Sequence, residues 1–391
     1  MSKKLLIKGG NIHNAIEREA FQADILITDG KIERIAADIT EQTEDVQVIE
    51  AAGLEVYPGF IDAHCHTGLD GYAIGFEGQD YNEMNDYITP QLSAIDGINP
   101  QDVTFEQSRE GGVTCICTGP GSSNVIGGTF CAIKTYGRRV DDMIVKDKVA
   151  MKIAFGENPK RCYKTKGIYS RMTVAAKLRE YLTKAIQYNE KLIAAGYPDQ
   201  IDESKMPAYD QKLEALLPVI RKEIPLKAHA HRADDIFTAI RIAKEFGLKL
   251  TIEHTTDGAL IAEDLAKEGF PVAVGPSFGH ASKYELKNKG FETPGILAKA
   301  GCRVSIITDA PVIEQRFLTH CVGRAICEGL DEFTGLQSVT INAAKHIGIE
   351  DRVGSIEEGK DADLVLVKGN PFALDTKVRY TIIDGAIRYQ G

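Results

Sequence analysis

Apolar and polar positions along the chain fall into three regimes. The first begins with short, β-branched runs, KLLIKGGNI, ADILITDGKIERI and VQVIEAAG, separated by Gly or Asp-Gly turns. The pair Asp29-Gly30 suits a tight hairpin. The third regime, at the other end, has the same texture: ADLVLVKGNP, then VRYTIIDGAIRY with a second Asp-Gly pair at Asp384-Gly385. Together these ends predict one small β-sandwich built from residues 1–55 and 348–391. The middle regime, 56–347, alternates apolar strands with amphipathic helices. Its strand candidates are VYPGFIDAHCH, GVTCICTGPG, VAMKIAFGE, PLKAHAH, LKLTIEH, PVAVGPS and CRVSIITDA. A long helix is expected from about Thr173 to Gly196, with apolar residues at Val174, Leu178, Leu182, Ala185, Ile186 and Ile193. A second ends at Gly247, and a third runs from Asp257 through Lys267. Strands alternating with helices over this length predict an α/β fold, a (β/α)₈ TIM-type barrel. The eighth strand is expected between Arg161 and Ile224.

In such barrels chemistry sits at the C-terminal ends of the strands. The polar residues found there are His64 and His66, Glu157, His229, His254 and Asp309. All are metal-ligand or acid/base types. Taken singly, each has a plainer reading: a hydrogen-bonded histidine, a Glu that orders its turn, an Asp that caps a helix before Ala310-Pro311. Taken together, one metal site at the mouth of one barrel explains the set better. His64 and His66 stand two apart, so a strand points both to one side. Cys65, between them, faces the other way and is expected to pack.

Composition narrows the classes. Of 391 residues, 43% are hydrophobic and 26% charged, ordinary for a globular protein. The net charge of −10 argues against a nucleic-acid or anionic-membrane partner. No apolar run reaches membrane-spanning length, and MSKKLLIKGG has too short an apolar stretch for a signal peptide. A cytoplasmic location is expected. Eight cysteines include one C-x-C pair, Cys115 and Cys117, without a second pair at zinc-ribbon spacing, so buried thiols are expected rather than a cysteine zinc site.

PGFIDAHCH, HAHRADDI, TIEHTTDG, the Asp after VSIIT and the closing GSIEEGKDADLVLVKGNP together resemble the metal-dependent amidohydrolase superfamily, in particular its imidazolonepropionase-related branch. The resemblance covers nearly the whole chain. It implies hydrolysis of a C–N bond in an amide, cyclic amide, N-acyl compound or dipeptide by metal-activated water, with deamination at an amidine carbon as the alternative. It implies a divalent metal, zinc foremost, with one or two ions per chain. His64, His66, His229 and His254 match the family's ligand histidines, and Asp309 matches the last-strand carboxylate that shuttles the proton. For the residue bridging two ions, E-N-P at Glu157 is similar to the glutamate segment of N-acetylglucosamine-6-phosphate deacetylases, whereas K-I-A-F-G at Lys152 is similar to the lysine segment of prolidase-type members. Glu157 is preferred, being nearer the strand end. Some superfamily members have lost their ligands and serve as assembly proteins; here every main ligand position is filled.

Softer candidates remain. His231 and His280 are read as substrate contacts, with a solvated loop the plainer reading for His280. Lys160 and Arg161 suit an anionic substrate group, or a solvated pair. The Gly-rich stretch 119–128 lacks the phosphate-loop signature and is read as a turn lining the mouth, and 68–86 as a loop over the pocket. The partner expected is a small-molecule substrate, and a homo-oligomer is possible.

Overall fold

The computed structural model describes residues 4–40, 46–72 and 75–391. Five strands come first: β1 (Lys4–Ile12), β2 (Phe21–Thr28), β3 (Lys31–Ala36), β4 (Val46–Glu50) and β5 (Glu55–Pro58). Eight follow in the middle: β6 (Phe60–Cys65), β7 (Val113–Thr118), β8 (Ile126–Lys134), β9 (Ile144–Ala154), β10 (Leu226–Ala230), β11 (Leu250–His254), β12 (Val272–Val274) and β13 (Val304–Ile306). The chain closes with β14 (Leu364–Val367), β15 (Val378–Ile383) and β16 (Ala386–Gln390).

Both ends meet in one sheet, ordered β16-β15-β14-β5-β1-β2-β3, with β4 beside β1. It curls so that its β3 end meets residues 360–362, just before β14, with Ile32 N donating to Lys360 O at 2.9 Å and Ala362 N to Gly30 O at 2.8 Å. Ile7, Ile25, Val56, Leu364 and Ile382 fill the interior of the curl. The two Asp-Gly pairs are hairpin turns. Asp29 and Gly30 have φ of 48° and 84°, Asp384 and Gly385 48° and 69°, the left-handed pattern such turns require.

The middle strands form a second sheet, β13-β12-β11-β10-β9-β8-β7-β6. Its ends approach closure: His66 N donates to Ala310 O at 2.7 Å and Asp309 N to His64 O at 3.2 Å. Seven of its strands lie where the sequence places them, and the eighth does not. Residues 161–224 hold helices, chiefly Arg171–Ala194 and Gln211–Ile220. The missing strand is β8, antiparallel to both β7 and β9. It follows the Gly-rich stretch as the return arm of a hairpin, with no helix before it, so strand–helix alternation hides it.

A second difference concerns VYPGFIDAHCH, which is two strands. β5 pairs with β1 and β14 in the terminal sheet, and β6 with β7 in the barrel. Gly59 is the joint. A Cβ there would lie 2.1 Å from Thr114 Oγ1, so only glycine lets the two strands pass this close.

The long helix Arg171–Ala194 is capped by Ser170, whose hydroxyl accepts from Thr173 N. It buries Val174, Leu178, Leu182, Ala185, Tyr188 and Leu192. Ile193, expected on this face, is exposed, because the 3.6-residue repeat selects Leu192 instead. This face packs with Ile236 and Ile240 of the helix Ala233–Phe246 against Ile153, Leu226, Ala228 and Ile252. The opposite faces of the strands are thereby turned into the barrel. All eight cysteines are free thiols, and Cys65 packs in an apolar cluster with Leu69 and Phe105.

Candidate metal centre

Alternation decides what enters the barrel. Along β10, Leu226, Ala228 and Ala230 face the helices, leaving Lys227 and His229, and beyond the strand His231, on the inner side. In β9 the inner residue is Lys152, level with Lys227 in the pairing register. β6 sends His64 to the mouth and His66 just past it. His254 breaks the rule. Pairing sets Glu253 beside His229, and His254 beside outward-facing Ala230. Yet the His254 ring lies 4.4 Å from that of His229, because its φ is 74° and that of Thr255 is 44°. Asp309, at φ 54°, is likewise left-handed. Such backbone costs about 1–3 kcal/mol per residue and concentrates at functional sites.

Two donor groups result among the described residues: His64, His66 and Asp309; and His229, His231 and His254. Asp309 Oδ1 lies 3.3 Å from His66 Nε2 and 3.7 Å from His64 Nε2. The outer ring nitrogens are anchored. His66 Nδ1 donates to Gly119 O at 2.7 Å, His254 Nδ1 to Gly275 O at 2.8 Å, and His231 Nδ1 pairs with Thr256 Oγ1 at 2.7 Å. These bonds leave Nε2 of His66 and His254 with a lone pair turned to the site. Both nitrogens of His229, and His254 Nε2, are buried without a hydrogen-bond partner. Leaving a buried polar atom unpaired costs roughly 1–3 kcal/mol, so this donor set fits a divalent metal. Burial drives the pKa of His229 and His231 well down and that of His254 to about 4, which keeps these imidazoles neutral, the ligand form.

Lys152 Nζ lies 3.1 Å from His64 Nε2, with the side chain fully buried. Burial, aided by Lys227 and opposed by Asp309 and Glu253, brings its ammonium down to about 7. Glu157, preferred from the sequence over Lys152, stands apart from both donor groups. β9 ends at Ala154, and Gly156, at φ 82°, swings the chain away. Glu157 then lines an open hollow with Lys160, Arg161, Lys164 and Tyr169. Its backbone N–H is what turns inward, donating to Glu285 Oε2 at 2.9 Å. His280 is exposed, and its carbonyl takes Lys289.

Other buried groups support the site, and the sequence reading passed over them. Glu253 holds His64 Nδ1 at 3.2 Å through Oε2, and is itself held by Lys227 at 2.9 Å and, through Oε1, by His346 at 2.8 Å. Asp62 accepts from Thr308 Oγ1 at 2.5 Å and Gln315 Nε2 at 3.1 Å, joining the ends of β6 and β13. Glu285 Oε1 lies 3.8 Å from Nε2 of both His229 and His231. For Lys227 a signal existed: a charge inside an apolar run is rarely buried without a partner. Glu285 sits in a loop and gave none.

A cavity of about 420 Å³ opens over the donors, with His66, His229, His231 and Asp309 on one side and Asn158, Arg161 and Lys283 on another. Tyr81, Asn82 and Met84 of the loop 68–86 and Gly121–Ser123 of the Gly-rich stretch also line it. Ala73 and Ile74 of that loop lie outside the described residues. Tyr81 stacks on His66 with ring centroids 5.1 Å apart.

The model of the Amidohydrolase family matches residues 212–388. A solved amidohydrolase from Thermotoga maritima MSB8 is 40% identical and superimposes with a TM-score of 0.94, covering 99% of this chain and 100% of that one. Amidohydrolase tasK of Hapsidospora irregularis is 27% identical over 94% of this chain, and adenine deaminase 1 of Latilactobacillus sakei subsp. sakei 23K is 23% identical over 97%. The chain spans only 40% and 59% of the length of these two curated relatives. Full-length likeness at this identity, reaching from the terminal sheet through every barrel strand, makes the chain a member of the amidohydrolase family.

Proposed function

We propose that the protein hydrolyses a C–N bond of a small molecule, an amide, cyclic amide or N-acyl compound, with a divalent metal held by His64, His66, His229, His254 and Asp309. One observation carries this reading. Two groups of neutral or anionic donors converge at the C-terminal end of one barrel, around a cavity of a small ligand's size. A divalent ion bound there supplies Lewis acidity and makes water a stronger acid. The rest falls to the chain. Asp309 Oδ1 takes the proton of the attacking water and returns it to the leaving nitrogen. Anchored Nδ1–H groups hold the histidines in one tautomer. Tyr81, stacked on His66, and Asn82 and Met84 beside it shield the reacting centre from bulk water.

A second ion, if bound, would draw on Lys152 as a further ligand. Its neutral amine adds to carbon dioxide, forming an N–C bond and losing one proton, and the carbamate replaces the missing carboxylate. Its place beside His64 supports this, whereas Glu157 lines a separate hollow beyond the turn at Gly156. Zinc suits the imidazole-rich donors. A small-molecule partner, a cytoplasmic setting, in which eight free thiols would be stable, and a homo-oligomer complete the proposal. So does a two-domain division that changes sheets at Gly59 and again between Ile347 and Leu364. Among the described residues no helix is long and apolar enough to cross a membrane.

Deamination at an amidine carbon is the second reading, favoured by the likeness to an adenine deaminase over nearly the whole chain. The test of the proton shuttle is Asp309→Asn. The variant is expected to keep most of its metal by elemental analysis and to lose about 10²–10⁴-fold in turnover, the range of general acid–base catalysis. Full turnover in Asp309→Asn would remove Asp309 from that role.

A further inference from the structure

Beside the histidine donors, the cavity wall carries two cations aimed at one neutral atom. Lys283 Nζ lies 3.2 Å from Asn158 Oδ1, and Arg161 Nη2 lies 3.5 Å from the same oxygen. Asn158 is held in place by donating through Nδ2 to Ser122 Oγ at 2.8 Å. All four residues line the cavity. An amide oxygen is a weak partner for two full charges. Arg161 makes no ion pair among the described residues, and Lys283 has one, to Glu285 Oε1 at 2.6 Å. Glu285 also faces His229 and His231, so its negative charge is shared with the metal side of the site. The wall is therefore left with an excess of about one positive charge, presented on a guanidinium fork and an ammonium.

We propose that this wall receives a carboxylate of the substrate, so that the compound cleaved is an anionic amide such as an N-acyl amino acid rather than a neutral nucleobase. An excess of one charge suits a monoanion better than a phosphate dianion, and a guanidinium meets a planar carboxylate in two parallel hydrogen bonds. The assignment rests on the hydrolase reading above and narrows it. A carboxylate held here fixes the orientation of the amide within the cavity that Asp309 and His66 also line, and orientation of this kind contributes to rate as well as to affinity.

The test is calorimetric binding of matched compounds to the metal-loaded protein: a panel of N-acetyl amino acids, their carboxamides and their phosphonate analogues. The carboxylates are expected to bind at least tenfold more tightly than the carboxamides. Arg161→Met and Lys283→Met should each remove most of that preference while Lys283→Arg retains it. Arg161 is exposed, so its variant leaves folding undisturbed if Lys283→Met does not. Equal binding of carboxylates and carboxamides, no binding of either, tighter binding of the phosphonates, or a preference that survives Arg161→Met would each overturn the inference. Turnover separates the two claims. A carboxylate preference without cleavage of any C–N bond sinks the hydrolase reading alone, and equal cleavage of acids and amides sinks this one alone.

Discussion

Glu253 precedes the candidate ligand His254 in sequence, yet its carboxylate lies beside a different candidate, His64, across the barrel. A buried carboxylate 3.2 Å from Nδ1 makes the imidazole a better base toward metal and restrains its ring. Lys227 and His346 fix the carboxylate in its turn. The expected outcome for Glu253→Gln is a 10–100-fold loss of metal affinity with the fold retained, measured by chelator competition. Unchanged affinity would mean that His64 needs no such support. At this scale the candidate donor groups were largely legible. His64, His66, His229, His254 and Asp309 all end apolar runs, and a run that stops on a metal-ligand residue is visible in one dimension. Glu157 too follows such a run, and the turn at Gly156 that carries it outside the two donor groups is not a hydrophobic pattern. Glu253 and His346 were illegible, since their partners lie far off in the chain, and so was the approach of Glu285 to His229 and His231.

Between residue and molecule stand the elements, and here the terminal hairpins and the helix Arg171–Ala194 could be read directly. Local rules govern them: a two-residue turn needs positive φ, and a helix buries one stripe. The β7–β8 hairpin could not, because it breaks the alternation by which the other strands are counted. Nor could the joint at Gly59, where an unbroken apolar run passes from one sheet into another. That crossing is sterically tight. Gly59→Ala is expected to cost about 1–3 kcal/mol, as overpacking does, and denaturant unfolding reads the change directly. A variant as stable as the parent would show that Thr114 yields without strain.

At the scale of the whole molecule the barrel and the terminal sheet are tied by a buried charge cluster. Lys134 of β8 meets Asp361 at 3.1 Å, Asp363 at 2.7 Å and Asp384 at 3.2 Å. Removing the cation from such a cluster strands carboxylates in low dielectric, so Lys134→Met is expected to lose about 3–5 kcal/mol. The pH dependence has a sign. Burial opposes ionisation of Asp361, but Lys134, Lys31 and Arg352 override it and hold its carboxyl below the ordinary range. Its contribution is present above about pH 4, the unfolded value, and is lost as pH falls through the lower folded one. Urea midpoints should therefore drop on the acid side in the parent and less so in Lys134→Met; parallel curves would dissociate the cluster from acid stability.

The two donor groups at the barrel mouth are the centre of the whole reading, and the number of metal ions per chain tests them most directly. Elemental analysis of the purified protein should find close to two divalent ions. The count should fall to about one in Lys152→Ala and stay near two in Glu157→Ala. No metal after reconstitution, or a loss in Glu157→Ala with none in Lys152→Ala, would contradict it.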